Sequence, residues 1–525
     1  MKISRIIAVG AALAALQITP AVSQLSGPLL RIPSTPIDYG AAGDGTKDDT
    51  AAVNTACAAQ TGKTLNLGPF VYAISGPINC SGVAGITGAS RSGAIGAAIT
   101  NYSGFKLLAT NVNPILTVGS NARIEHFMIY ANATGVNTSG TTIYAPFVGN
   151  TTIDDVWIQG PCLGIDISGS QNRVTNSWIN GQQGAGCGGV RVGHGGTNSV
   201  TIDMVIYQVK TASSQTTPAD YGIRVEDAGG ASISTDDNLF AKFGIQIAPG
   251  ANQVVWWTTI GPGYTGDSNT VSGLSIDTTD PTAVVRGLEC VGCWASSSAL
   301  NGIDISNTGN GTTSGTVDGI HFTGTRVFQN AQNGINIHAG TTINPKHVTI
   351  DDSAICGNSF GNAATYSGIA WGTGVSFVSI RDSESSGNCD GFSSSPAFGV
   401  NFTGTTSTDI IMVGNDFTGN SSGPAAGVLA TTGANVVSGN KGLDDVLPTV
   451  ASAATIALNA LYPRWTVTGS VGVSTINNPW LGRHVTLFTT SGVAFATGGN
   501  ICNAVTTAAN GLVYADWTGS CWELK

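Results

Sequence analysis

Three acidic residues sit in short strands of one recurring form: Glu226 in GIRVE, Asp277 in GLSID and Asp304 in GIDIS. If the Ile of such a strand points inward, the third and fifth residues point outward, and coils stacked about 4.8 Å apart line them into ladders. The third-residue ladder reads Asp166, Arg191, Arg224, Gln246, Ser275, Asp304, Asn336, Ala370, Asn401. The fifth reads Ser168, Gly193, Glu226, Ala248, Asp277, Ser306, His338. Asp277 and Asp304, one coil apart and offset by two residues, would then stand roughly 8 Å apart, and Glu226 and Asp277 roughly 10 Å. An inverting glycosidase holds its two carboxyl groups about 6.5 to 9.5 Å apart, and a retaining one about 5 to 5.5 Å. Asp277, Asp304 and Glu226 are therefore the catalytic candidates, with Arg191, Arg224, Asn336 and His338 as substrate-binding candidates. The competing reading is a solvated polar face, on which Arg224 beside Glu226 is a surface pair of little worth.

Other groups compete. Three DD pairs occur within the repeats, at Asp154 and Asp155, Asp236 and Asp237, and Asp351 and Asp352. Two of them follow a TI lead-in, which points to a recurring turn that uses Asp for side-chain to backbone hydrogen bonds. The Asp236 and Asp237 pair is less regular, and adjacent carboxylates can hold calcium or work as acid and base. Laying VRGLECVGCW over VDGIHFTGTR puts Glu289 beside His321, a workable general base or a plain exposed pair. Trp256, Trp257, Tyr264 and Trp294 fall in two consecutive coils, where flat rings suit sugar C–H groups. Trp257 and Trp294 are the substrate-binding candidates among them, and strand alternation lets at most one of Trp256 and Trp257 face outward.

The elements that must position these residues repeat. The strand starts at 164, 189, 222, 244, 273, 302, 334, 368, 399 and 427, about every 29 residues, with second strands such as TTIDDVWIQG and KHVTIDDSAI between. Strands this short, joined by Gly, Asn and Ser turns with almost no helical periodicity, build a coiled parallel sheet in which each coil covers its neighbours. The fold class is all-β: a right-handed parallel β-helix. Propeller blades need four strands, for which about 29 residues is too little chain. DYGAAGDGTKDDTAAVNTACAAQTG, residues 38–62, reads as a Gly-rich turn, an Asp48 or Asp49 N-cap and a short Ala-rich helix that plugs one end.

This opening segment, followed by TLNLGPFVYAI, resembles the start of the pectate lyase superfamily, which includes polygalacturonases, rhamnogalacturonases, epimerase-like proteins and phage tailspikes. The resemblance spans residues 36–440 and implies the β-helix more than any one reaction. The GHG at 193–195 resembles the GHG of polygalacturonases, but NTD and RIK are absent and the nearest preceding DD is at 154. His194 is accordingly expected to be a turn residue. Beyond Asp444, Thr- and Val-rich strands form a small β domain, 444–525, similar to the C-terminal modules of tailspike-like proteins; that resemblance implies capping, homotrimer formation or surface attachment.

Composition narrows the setting. Only 10% of the 525 residues are charged and 72 are Gly, which argues against a charged, helix-rich cytosolic enzyme. Residues 1–23, with Lys2 and Arg5 ahead of an apolar run and small residues, read as a secretory signal, so the expected location is secreted or periplasmic. No later stretch is apolar enough for a membrane span. The net charge of −10 offers no basic stripe, so no nucleic-acid partner is expected. Ten cysteines fall in local sets, and five disulfides are expected: 57 with 80, 162 with 187, 290 with 293, 356 with 389, and 502 with 521. The expected function is cleavage of a polysaccharide partner lying along the coil, by a glycoside hydrolase or a polysaccharide lyase. No cofactor or metal is expected, except Ca2+ if the reaction is a lyase's. The rival class is a non-catalytic adhesin.

Overall fold

The computed structural model describes residues 35–90, 102–195, 201–278, 280–306, 315–339, 343–389, 391–402, 407–458 and 461–525. The expected signal segment, 1–23, lies outside the described residues. The recurring strands form one parallel sheet of thirteen strands, in the order in which they occur along the chain. Its register is the expected one: Ile165, Val190, Ile223, Ile245, Leu274, Ile303, Ile335, Ile369 and Val400 lie over one another, all buried. The final strand departs from expectation. GVLAT at 427 forms no strand; the last coil closes sooner, Gly423–Ala426 takes the place, and Val400 lies opposite Ala425.

The rest of each coil belongs to a parallel sheet of twenty-seven short strands. The chain bends between these strands through residues with left-handed backbone, and the bends stack. One line of them runs His126, Asp155, Asn176, Gln208, Thr235 and, further along, Gly292, Gly324, Asp352, Asp382, Gly414 and Gly439. The second Asp of two DD pairs therefore sits where φ is positive, 51° at Asp155 and 47° at Asp352. Asp is chosen there because its short side chain tolerates that backbone conformation. The turn recurs as expected, but the backbone angle is its requirement.

Asp236 and Asp237 cannot share a ligand, since strand alternation aims one inward and the other outward. Asp236 is 1% exposed and belongs to an inner ladder that accepts amide protons from the preceding coil. Its Oδ1 takes the Val209 N–H at 2.6 Å, as Ser353, Ser383 and Asn415 take those of Thr325, Ser353 and Ser383 at 3.0 to 3.1 Å. Its Oδ2 has no partner, and burial pushes its pKa up to about 7. The folded-state pKa lies above the unfolded value, so its contribution is fully present below about pH 4 and is lost as pH rises toward 7. We expect Asp236→Asn to be more stable than wild type by a few kcal/mol at pH 8, roughly 1.4 per unit of pKa difference, and by little at pH 4. Paired melting curves at the two pH values check this; equal gains at both would show that Asp236 does not titrate in the native range.

Both ends of the coil are closed. The helix Thr50–Ala59 buries Val53, Ala56 and Cys57 in the same core as Leu65 and Ile78. Asp49 is its N-cap residue, yet its carboxylate accepts from Ala42 and Gly43 of the Gly-rich turn, while Asp48 accepts from the Thr50 N–H. At the other end, Leu461 and Trp480 join the coil's core, and Arg483 stacks 4.1 Å from the Trp480 ring. Beyond them a five-stranded mixed sheet carries a core of its own around Trp465, Leu487 and Trp522. The described residues belong to one compact unit, Ser34–Lys525. All five expected disulfides are present, with Cα separations from 4.6 to 5.8 Å. Among the described residues, no helix is long and apolar enough to cross a membrane.

Candidate active site

The outward ladder of the thirteen-stranded sheet is the one expected: Asp166, Arg191, Arg224, Gln246, Ser275, Asp304 and Asn336 stand in register. Two clusters form on it. In the first, Arg191 donates to Asp166 at 2.6 Å, and Glu226 holds Arg224 at 2.9 Å and His194 at 2.8 Å. Arg224 also lies 5.7 Å from the Tyr221 ring centroid. Burial pushes the Tyr221 hydroxyl up to about 12, which keeps it a neutral donor at ordinary pH.

His194 sits in the expected turn, but it also reaches Glu226. Gly193, at φ 80°, turns the chain off its strand so tightly that a Cβ there would stand 2.1 Å from the Asp227 carbonyl oxygen. The next residue is thereby delivered above the fifth position of the neighbouring coil. A Gly-His-Gly run closing a strand was the available signal. Phe147 had none: it lies at a left-handed bend, 60% exposed, with its ring 4.0 Å from where a Cβ on Gly195 would be. An aromatic face thus borders this cluster.

In the second cluster, His338 Nε2 meets Asp304 Oδ1 at 2.9 Å, and the Asn336 amide nitrogen lies 3.4 Å from the same oxygen. The hydrogen bond to Asp304 holds the His338 imidazole above the usual histidine range, against partial burial, which opposes it. Asp277 ends its strand opposite Ser306, which places its Cα about 8 Å from that of Asp304. Glu226 is farther off. Its position and that of His338 are four coil steps apart, about 19 Å, too far to flank one glycosidic bond.

Trp257 and Trp294 are not brought to this face, which corrects the expectation that they line it. Both belong to the twenty-seven-stranded sheet, Trp257 at a bend and Trp294 at the start of Trp294–Ser296. Trp256 and Trp257 are both exposed and stacked 5.2 Å apart, because φ of 50° at Trp257 interrupts the strand alternation. Tyr264 is buried. Glu289 and His321 are opposite each other on neighbouring strands, and both are exposed. Cys356, Glu384 and Cys389 lie within ligand distance of one another, but the two sulfurs form a disulfide and are not free to bind a metal.

Residues 37–237 match the family described as "Rhamnogalacturonase A/epimerase, pectate lyase-like". This segment is similar to that family. No curated protein matches the chain. Among solved structures, this chain is similar to the A-module of mannuronan C-5 epimerase AlgE6 from Azotobacter vinelandii, at 14% identity over 78% of this chain and 99% of that one, with a TM-score of 0.45. It is similar to the N-terminal fragment of bacteriophage phi29 gene product 12, at 16% identity over 84% and 83%, TM-score 0.49. It is also similar to the tailspike protein of E. coli bacteriophage HK620, at 11% identity over 92% and 88%, TM-score 0.45.

Proposed function

We propose that the protein is an exported carbohydrate-active enzyme that binds a polysaccharide along the thirteen-stranded face and cleaves it. The observation that carries this is the Asp304–His338 pair with Asp277 one coil from Asp304, about 8 Å between Cα atoms, a proton donor and a carboxylate on one face of the coil. In the hydrolytic form, His338 gives a proton to the leaving glycosidic oxygen and Asp277 takes one from the attacking water. Asp304 orients His338 and raises its pKa. Arg191, Arg224 and His194, with Phe147 beside them, bind the chain several sugars away. In the β-elimination form, a base removes the proton on the carbon bearing the uronate carboxylate, whose charge Arg224 or a bound Ca2+ would neutralise, and the glycosidic oxygen leaves from the adjacent carbon and takes up a proton as the double bond forms. The family's description as rhamnogalacturonase and epimerase supports a carbohydrate substrate, and the disulfides support export to an oxidising compartment.

A second reading is favoured by one observation. Asp166 and Glu226 already hold cations, an arrangement equally suited to a binding surface without turnover. Incubation with a panel of plant and microbial polysaccharides separates the readings. New reducing ends mark cleavage, ultraviolet absorbance of an unsaturated uronide identifies elimination, and binding without either product favours the adhesin.

A further inference from the structure

A second row of outward residues runs along the other sheet, one per coil: Trp178, Lys210, Asp237, Thr265, Trp294 and Arg326, in register with the buried Trp157 at one end. Two hollows open on it, and each has an aromatic ring at its edge. Trp178 is stacked on Trp157 with ring centroids 4.8 Å apart, and it lines a hollow of about 380 Å³ together with Asn176, Gln208 and Lys210. Trp294 stands edge-on to Phe328 at 5.4 Å, and Phe392 stacks on Phe328 at 4.7 Å, and the three rings line an open hollow of about 400 Å³. The second hollow is built rather than incidental. Trp294 Nε1 donates to Ser296 Oγ at 2.7 Å, which donates to Asp267 Oδ1 at 2.9 Å, so the ring is locked with 38% of its surface in solvent.

From Trp178 to Trp294 is four coil steps, about 19 Å along the axis. Between them stand Lys210, Asp237 and Thr265, all able to meet hydroxyl groups. One coil rises by nearly the length of one sugar in an extended chain. Flat apolar rings at both ends of a polar row suit a pyranose polymer, whose C–H faces and hydroxyl edges alternate. A peptide strand would need an unpaired sheet edge, and this row is the face of a fully paired sheet.

We propose that this row is a second polysaccharide-binding site, on a different sheet from the candidate active site, which anchors the polymer without taking part in its cleavage. It rests on the carbohydrate reading of the protein but not on cleavage. The test uses the full chain in native gels cast with polygalacturonate, alginate, arabinogalactan or mixed-linkage β-glucan, with Asp304→Asn as the background. Retardation by at least one polymer is expected in that background, weakened about tenfold by Trp178→Ala or Trp294→Ala, while Trp257→Ala binds as the background does. Melting temperatures confirm that the variants fold. Absence of retardation by every polymer overturns the proposal, as does equal retardation after both Trp178 and Trp294 are replaced, or loss with Trp257→Ala alone. Failure of the cleavage reading appears separately, as retardation of the wild type without new reducing ends.

Discussion

Replacing Asp304 by Asn is expected to lower turnover of the proposed polysaccharide substrate by about a hundredfold or more, with the melting temperature nearly unchanged. The amide keeps the shape of the carboxylate, but it no longer raises the pKa of His338, which depends first on that contact. In the proposed mechanism the protonated form is the proton donor, so activity is expected to fall as pH rises through the His338 pKa. Without Asp304 that fall begins at lower pH, because the remaining influence on His338, partial burial, favours the neutral ring. A pH profile of kcat/KM for wild type and Asp304→Asn reads the shift directly. Asp277→Asn is expected to lose a comparable factor without moving the alkaline limb, since the role proposed for Asp277 is on water. Asp351→Asn, on the other sheet, stays close to wild type. Full activity in the Asp304 and Asp277 variants together with loss in the Asp351 variant would transfer the chemistry to the other sheet.

The second large effect is on the scaffold. Ile303 is fully buried, between Leu274 and Ile335 of the neighbouring coils. An Asp there would bury an unpaired charge, at a cost of several kcal/mol against a typical total stability of about 5 to 15 kcal/mol. Each coil rests only on its two neighbours, so the damage spreads along the axis and several coils melt together. Loss of far-ultraviolet β signal at a temperature many degrees below wild type is the expected result. A melting temperature within about two degrees of wild type would mean that residue 303 is not inward and that the outward ladders are misassigned.

The sheet register could be read before any coordinates because a strand's side chains alternate with period two. Once Ile165, Ile223 and Ile303 are placed inward, Asp166, Arg224 and Asp304 have nowhere to go but out, and stacking does the rest. The cysteine pairs were legible from their nearness along the chain, and two of them, 25 and 33 residues apart, join neighbouring coils. It broke down wherever the chain bends. Trp256 and Trp257 share one side because a left-handed residue breaks the alternation, and His194 crosses to Glu226 because Gly193 allows a turn that no other residue could make. Apolar periodicity is a property of strands and is legible along the chain. The direction of a side chain at a bend depends on φ and on the coil above it, and those exist only once the coils are stacked. For the same reason, which strand of each coil carried Trp294 stayed hidden until folding placed it on the sheet away from Asp304. The inward aim of Asp236, next to the outward Asp237, likewise followed from the bend at Thr235 rather than from the two residue types.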